Sequence, residues 1–269
     1  MSWLSAALSV FFVLSALSTS CAEEAVHAQE ILARIAAHEP VYFDGVLISG
    51  YLDLSALPAA QVQESLALVN CTIPNASFSG VTFAQDVAFW GTLFDNVSFE
   101  KSSFLGRADF SNASIGPASF SGCTFSQPAF FNGAIFKDNV SFEDAAFGRD
   151  AFFNAASFLG RADFNYSHFD SYSYFAATEF EGDALFSDVD FTGAVDFSAA
   201  SFSNLAAFSC STFAALSPHI VAAPANVKGK FCGIVPFTLA GEVAFVLGTE
   251  EALSSIVALA AGTVAFFCS

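Results

Sequence analysis

The residue types that most often catalyse reactions or bind metals are few and scattered in this chain. The four histidines, His27, His38, His168 and His219, are isolated from one another. No zinc-binding, phosphate-loop or nucleophile-elbow motif occurs in the sequence. We therefore expect structural or surface histidines, no catalytic residue, no cofactor and no enzymatic activity.

Acidic residues form the densest group of potential cation ligands. Carboxylate oxygens suit Ca²⁺, so five of them within one repeat period could bind a hard cation. The other interpretation is a solvated acidic face, which we favour because the ligand spacing of a calcium loop is missing. We expect no metal site. The five residues are Glu179, Glu181, Asp183, Asp188 and Asp190.

The net charge limits the partners of this protein. The chain has 26 acidic and 8 basic residues and a formal charge of −18. Binding to nucleic acid or to acidic lipid needs clustered Lys and Arg, so neither is expected as a partner. The segment from Asn165 to Phe213 holds seven acids and no Lys or Arg, which predicts a strongly anionic end.

Residues 1–22 have the form of a secretory signal peptide. They carry no charged side chain, and an apolar core from Trp3 to Leu17 leads to the small residues Ser20-Cys21-Ala22. An uncleaved anchor remains an alternative because the first residues lack Lys and Arg, and Ser18 makes a poor lipoprotein box before Cys21. The cysteines show no metal-binding spacing, and cleavage before Glu23 would leave five of them, an odd number that cannot all pair within the chain, so no disulfide framework is expected. We expect an exported protein, either extracellular or associated with the cell envelope.

A repeat fills the middle of the chain. From Phe78 to Phe213 a large residue recurs 26 times at steps of five or six, and only Ile115 among these residues is not Phe. A small or β-branched residue stands two positions before each of them. A helix needs a step near 3.6 and a plain strand a step of 2, so the pattern predicts a solenoid of short straight faces. The small residue and the Phe both point into its lumen.

The steps of six indicate how many faces each coil of the solenoid has. They follow Phe83, Phe104 and Phe125, once in every four steps, which predicts four faces per coil. From Phe136 onward a second series of six-residue steps begins two corners away, so the insertions lie at opposite corners. The 26 sites give about six and a half coils, or roughly 30 Å of rod at about 4.8 Å per coil.

Units such as Ala76-Ser77-Phe78, Ala118-Ser119-Phe120 and Ala162-Asp163-Phe164 resemble the Phe-centred branch of the pentapeptide-repeat family. The resemblance covers roughly half of the chain and implies a right-handed, four-sided parallel β-helix. The lead-in from Glu30 to Leu57 resembles that of exported members of this branch. The regular alternation of five and six departs from the family pattern at two corners of each coil.

The segments outside the repeat complete the expected all-β organisation. A capping helix is predicted from about Ala25 to Ala37, and it ends at His38-Glu39-Pro40. Its apolar face carries Ala28, Ile31, Leu32 and Ile35. The apolar C-terminal segment could cap the rod, associate or anchor in a membrane, while no membrane span is expected in the repeat region. The predicted boundaries are 1–22 signal peptide, 23–40 capping helix, 41–213 β-helix, 214–230 linker and 231–269 apolar C-terminal segment.

Phe130, Phe152 and Tyr174 each precede an inward Phe of the same column and should point outward on successive coils. We call them the aromatic strip. They could stabilise the face by packing on one another, or dock a protein or glycan partner or a second copy of the chain.

Six Asn-x-Ser/Thr sequons could carry glycans on an exported protein. Repeat bias alone also generates them, because Asn fits a corner and Ser fits the position before Phe. The sequons begin at Asn70, Asn75, Asn96, Asn112, Asn139 and Asn165.

Three functions fit these features. We favour a non-catalytic exported rod that presents its faces to partners in the cell envelope. The second is an acidic mimic of nucleic acid that inhibits a DNA-binding enzyme, as some members of the resembled family do, although a signal peptide argues against a cytoplasmic target. The third is a β-helix that binds or cleaves polysaccharide, for which no paired carboxylates stand out.

Overall fold

The computed structural model describes residues 24–57, 60–208 and 210–213. The predicted signal peptide, the predicted linker and the apolar C-terminal segment lie outside these residues, as does His219. The described chain is a right-handed, four-sided parallel β-solenoid of about eight coils with one short helix, as the sequence predicts. Eight coils at about 4.8 Å each give a rod about 38 Å long.

The strands form four parallel sheets, which we number as faces in chain order. Face 1 contains β2 (Val41–Asp44), β6 (Leu66–Val69), β10 (Val87–Ala88), β14 (Ala108–Asp109), β18 (Ala129–Phe130), β22 (Ala151–Phe152), β26 (Ser173–Tyr174) and β30 (Val195–Asp196). Face 2 contains β1 (Ala25–His27), β3 (Leu47–Ser49), β7 (Thr72–Ile73), β11 (Leu93–Phe94), β15 (Ser114–Ile115), β19 (Ile135–Phe136), β23 (Ser157–Phe158), β27 (Glu179–Phe180) and β31 (Ser201–Phe202).

Faces 3 and 4 complete each coil, so face 3 lies opposite face 1. Face 3 contains β4 (Leu52–Asp53), β8 (Ala76–Ser77), β12 (Val97–Ser98), β16 (Ala118–Ser119), β20 (Val140–Ser141), β24 (Ala162–Asp163), β28 (Ala184–Leu185) and β32 (Ala206–Ala207). Face 4 contains β5 (Gln61–Val62), β9 (Thr82–Phe83), β13 (Ser103–Phe104), β17 (Thr124–Phe125), β21 (Ala146–Phe147), β25 (His168–Phe169), β29 (Asp190–Phe191) and β33 (Thr212–Phe213).

Phenylalanine rings fill the lumen in columns. Within a column the rings stack between coils: the centroids of Phe120 and Phe142 lie 4.8 Å apart with an interplanar angle of 6°. Across the lumen they meet edge to face, as Phe120 does with Phe131 at 5.5 Å and 88°. Both arrangements are favourable for aromatic quadrupoles. The Phe repeat therefore packs well both along the rod and across the lumen.

The two kinds of corner differ in backbone conformation. On leaving faces 1 and 3, the second residue after the inward Phe has a positive φ: Gly133 and Ala155 have φ values of 64° and 53°. The amide three residues after that Phe closes the turn, with Ala156 N–H donating to Phe153 O at 3.0 Å. These corners keep the five-residue step, and the six-residue steps fall at the other two, which are opposite each other.

The helix α1 (Ala28–Ala36) lies at the N-terminal end of the solenoid with Ala28, Ile31 and Ile35 buried. It begins three residues later than the helical periodicity predicts, because Ala25–His27 form β1 instead. This strand pairs in parallel with β3, where Val26 is in register with Ile48. The backbone N–H and C=O groups at the open end of the first coil need hydrogen-bond partners, and β1 supplies them. The helical periodicity of the sequence does not reveal this requirement.

Candidate functional site: the aromatic strip of face 1

The aromatic strip occupies outward positions on three consecutive coils of face 1. The centroids of Phe130 and Phe152 are 4.8 Å apart with rings 6° from parallel. Those of Phe152 and Tyr174 are 4.9 Å apart with rings 1° from parallel. The three side chains are half-buried, because each ring covers a face of its neighbour.

The strand alternation puts these rings outside. In β18, Ala129 is buried, Phe130 is half-buried, and Phe131, which follows it, is buried in the lumen. Parallel pairing then keeps Phe130 in register with Phe152 and Phe152 in register with Tyr174. These rings point outward and do not fill the lumen, so an aromatic residue at these positions contributes to the surface of the rod.

Arg107 closes the lower end of the strip, where "lower" means toward the N-terminal end of the rod. The guanidinium carbon lies 4.2 Å from the centroid of the Phe130 ring. The same guanidinium donates a hydrogen bond to Asp109 Oδ2 at 2.7 Å. A cation over a ring face, held by a carboxylate, is a favourable arrangement, and it covers the last ring of the strip from this side.

The upper end of the strip has a different composition. Tyr174 is in register with Asp196 of the next coil, and the ring of Tyr172 lies beside it at 6.0 Å and 20° from parallel. Asp150, one coil below, accepts hydrogen bonds from the Ser171 hydroxyl at 2.5 Å and the Tyr172 amide at 3.3 Å. Burial raises the pKa of Tyr174, and the negative charges of Asp150, ionised Tyr172 and Asp196 raise it further. The carboxylates of Asp150 and Asp196 make the upper end electronegative.

The stacking determines which parts of the rings a partner could contact. Ring faces inside the strip are covered by neighbouring rings, and the lower face of Phe130 is covered by Arg107. The parts not covered in this way are the ring edges along the strip and the outer face of Tyr174, which is the face toward the coil of Asp196. Sugar rings stack on open aromatic faces, so the length of the strip suits apolar side chains of a protein better than a glycan.

The histidines do not form a catalytic arrangement in the described residues. His168 Nδ1 lies 3.1 Å from Asp190 Oδ2 on face 4, and the Thr212 hydroxyl donates to Asp190 at 2.6 Å. The residue below His168 in this column is Ala146, which offers no nucleophile. This pair is an exposed polar contact between coils.

The acidic group from Glu179 to Asp190 is spread around the rod. Glu179 is on face 2, Asp190 is on face 4, and Asp188 has a positive φ at the corner between faces 3 and 4. Within the described residues, no group of three or more His, Cys, Asp or Glu side chains could hold a metal ion. Neighbours in sequence are separated here because each face is only two residues wide.

The sequon asparagines occupy three kinds of position. Two of them, Asn70 and Asn112, have positive φ at the corner between faces 1 and 2. Asn165 is half-buried and accepts the Ser187 amide at 2.8 Å. The other three are exposed at the corner between faces 2 and 3, namely Asn75, Asn96 and Asn139.

Sequence reasoning missed the residues that flank the strip. Arg107 and Asp109 precede the strip by one coil, and Tyr172 and Asp196 adjoin its upper end. A signal was present: Arg107-Ala108-Asp109 is repeated as Arg161-Ala162-Asp163, and both pairs form ion pairs in the structure. The lumen does not require Arg or Asp at these outward positions.

A family model of known proteins matches the repeat region of the chain. Residues 89–135 and 131–179 match a family model described as pentapeptide repeats (9 copies). The four-sided coil and its repeat thus define a class, the β-solenoids built from five-residue units. Over residues 89–179 this chain is similar to the pentapeptide-repeat family.

No curated protein matches the sequence. Among solved structures, the chain is similar to a structure of trypsin-treated QnrB1, described as a plasmid-mediated fluoroquinolone resistance protein. The two share 14% sequence identity over 65% of this chain and 83% of that chain, with a TM-score of 0.28. Within the described residues, no helix has the length and hydropathy needed to cross a membrane.

Proposed function

We propose that this protein is an exported, non-catalytic interaction protein whose rod presents its faces to partners in the cell envelope. The observation that carries the proposal is the aromatic strip, since three rings occupy outward positions that the lumen does not need. Rings at such positions either stabilise their own face or bind a partner. The different chemistry of the two ends of the strip supports binding.

Export is supported by residues 1–22, whose apolar, uncharged sequence ends in small residues. The formal charge of −18 supports a partner other than nucleic acid or acidic lipid. A mimic of nucleic acid would also be acidic, so the charge does not distinguish it from an exported interaction protein. The location of the protein does distinguish them.

Fractionation of the tagged full-length chain tests the location. We expect the protein outside the cytoplasmic membrane, with the tag accessible to protease added to intact cells or to spheroplasts. Soluble protein recovered only from the cytoplasm would contradict the proposal and would favour mimicry of nucleic acid.

A triple variant tests the use of the strip. Replacing Phe130, Phe152 and Tyr174 by Ser leaves the lumen unchanged, so the circular dichroism spectrum should be retained while binding of the partner or self-association weakens. Ser98, Ser119 and Ser141 form the corresponding column on face 3, and their replacement by Ala is the matched control. If the strip variant unfolds, or if both variants bind equally well, the rings serve packing alone.

A further inference from the structure

We propose that the upper end of the aromatic strip, formed by the outer face of Tyr174 and the carboxylate of Asp196, binds an arginine side chain of a protein partner. This inference rests on the proposed function, because it names the chemistry of the partner that the strip would bind. The lower end of the same strip shows how such a site is filled.

The lower end contains the complete arrangement within the chain. The guanidinium of Arg107 lies 4.2 Å above the Phe130 ring and donates to Asp109 Oδ2 at 2.7 Å. Asp109 is held in place because its Oδ1 accepts the Ser111 amide at 3.0 Å. A ring face, a fixed carboxylate and a cation therefore meet at one point.

The upper end contains two of these three components. Asp196 is in register with Tyr174 and accepts the Ser198 amide through Oδ1 at 2.8 Å, as Asp109 accepts that of Ser111. Within the described residues, no ion pair or hydrogen bond to Asp196 Oδ2 is formed. The position two residues before the aspartate, which is Arg in the lower coil, is Ala194 here.

The charges around Tyr174 favour a cation. Asp150 and Asp196 approach it from the coils below and above, and both raise the pKa of its phenol after the larger effect of burial. The sequence from Asn165 to Phe213 contains no Lys or Arg, so this part of the chain supplies no cation of its own. The nearly parallel ring of Tyr172, 6.0 Å from that of Tyr174, adds a second aromatic side chain to this end of the strip.

Arginine fits this site better than lysine. Its planar guanidinium can stack on a ring while its edge donates to a carboxylate, and it loses less hydration on binding than an ammonium group. The exposed edges of Phe152 and Phe130 continue from the site as an apolar strip. The geometry therefore fits a peptide segment in which an apolar side chain stands beside the arginine.

A short peptide provides the probe. The sequence of residues 105–108 gives acetyl-Leu-Gly-Arg-Ala-amide, the segment that supplies the cation at the lower end. Citrulline in place of arginine gives a neutral peptide of nearly the same shape. The full-length protein has five tyrosines, so selective tyrosine labelling yields few ring signals for NMR, and Tyr174→Phe assigns the signal of Tyr174.

We expect the arginine peptide to shift the Tyr172 and Tyr174 signals and to leave those of Tyr42, Tyr51 and Tyr166 unchanged. The citrulline peptide should bind about tenfold more weakly, since it lacks the charge that the ring face and carboxylate recognise. Added salt should weaken binding of the arginine peptide. Equal binding of the two peptides, or no shift with either, would overturn the proposal.

Four variants locate the site. Asp196→Asn should weaken binding about tenfold, whereas Asp163→Asn, whose carboxylate is paired with Arg161 on face 3, should have no effect. Ala194→Arg should block the peptide by supplying the cation within the chain, and Ala194→Gln should leave binding intact. Unchanged binding in Asp196→Asn, or equal binding in the two Ala194 variants, would contradict the assignment.

The peptide, strip and fractionation experiments distinguish a failure of this inference from a failure of the proposed function. If the peptide does not bind but the serine variant of the strip still loses its partner, the arginine site is wrong and the interaction role stands. If a neutral oligosaccharide shifts the Tyr174 signal and the arginine peptide does not, the inference also fails. A cytoplasmic protein that still binds the peptide would refute the proposed export and leave the arginine site intact.

Discussion

Ala156→Leu should destabilise the solenoid far more than Ser157→Leu, although the two residues are neighbours. Ala156 is fully buried, while Ser157 is an outward residue of β23 in register with Ile135 and Glu179. The substitution at Ala156 forces three additional heavy atoms between packed Phe rings. The substitution at Ser157 places the same side chain on the surface beside Ile135.

The magnitude follows from the packing. Overfilling a well-packed core costs about 1–3 kcal/mol, and the closed coil gives the Phe153 and Phe158 rings no space into which to move, so we expect the upper part of this range. For a domain of this size that corresponds to a decrease in Tm of about 5–10 °C. A surface substitution such as Ser157→Leu should change stability by about 0.5 kcal/mol or less.

Thermal unfolding followed by circular dichroism in the β region measures both variants under the same conditions. Chemical denaturation provides a second measure, because the midpoint should shift without a change in slope. Equal losses of Tm in the two variants, or a larger loss for Ser157→Leu, would refute the inward register assigned to Ala156.

Three further predictions test other parts of the molecule. Ala155→Gly should stabilise the protein by about 0.5–1 kcal/mol in chemical denaturation because the φ of Ala155 is 53°, whereas Ala146→Gly, on a strand, should destabilise it by a similar amount. Burial raises the pKa of the Cys123 thiol to about 12 from 9.0, so its contribution to stability is complete below about pH 9 and is lost as the pH rises toward 12. Wild type should therefore lose about 1.4 kcal/mol per pH unit above pH 9 relative to Cys123→Ala, and parallel pH profiles would contradict this. N-terminal sequencing should find that the mature chain starts near Glu23, and a retained Met1 in a soluble cytoplasmic protein would rule this out.

Much of the fold could be predicted because the repeat gives spatial information directly. A Phe after steps of five and six, with a small residue two positions before it, determines which side chains point inward and how many faces a coil has. The aromatic strip follows from the same arithmetic, since Phe130, Phe152 and Tyr174 differ by one coil of 22 residues each. Those inferences need only the backbone period.

Other features depend on interactions that the spacing of the repeat does not reveal. Ala25–His27 form a strand, not the first turn of a helix, because the first coil has backbone groups that need partners. The positive φ of Ala155, Lys101 and Tyr166 is imposed by the turns that leave faces 1 and 3, and these residue types do not favour it on their own. Local propensity is overridden in each case by contacts with the adjacent coil.

By itself, the sequence determined the register, the four faces and the position of the aromatic strip, because a strict repeat places equivalent residues one above another. Only the tertiary structure decided which outward side chains interact between coils. Arg107 reaches across to the Phe130 ring and to Asp109, while Ala194 leaves Asp196 and the outer face of Tyr174 without a cation from the described chain. These differences arise from the length and direction of side chains on adjacent coils, which the spacing of the repeat does not specify.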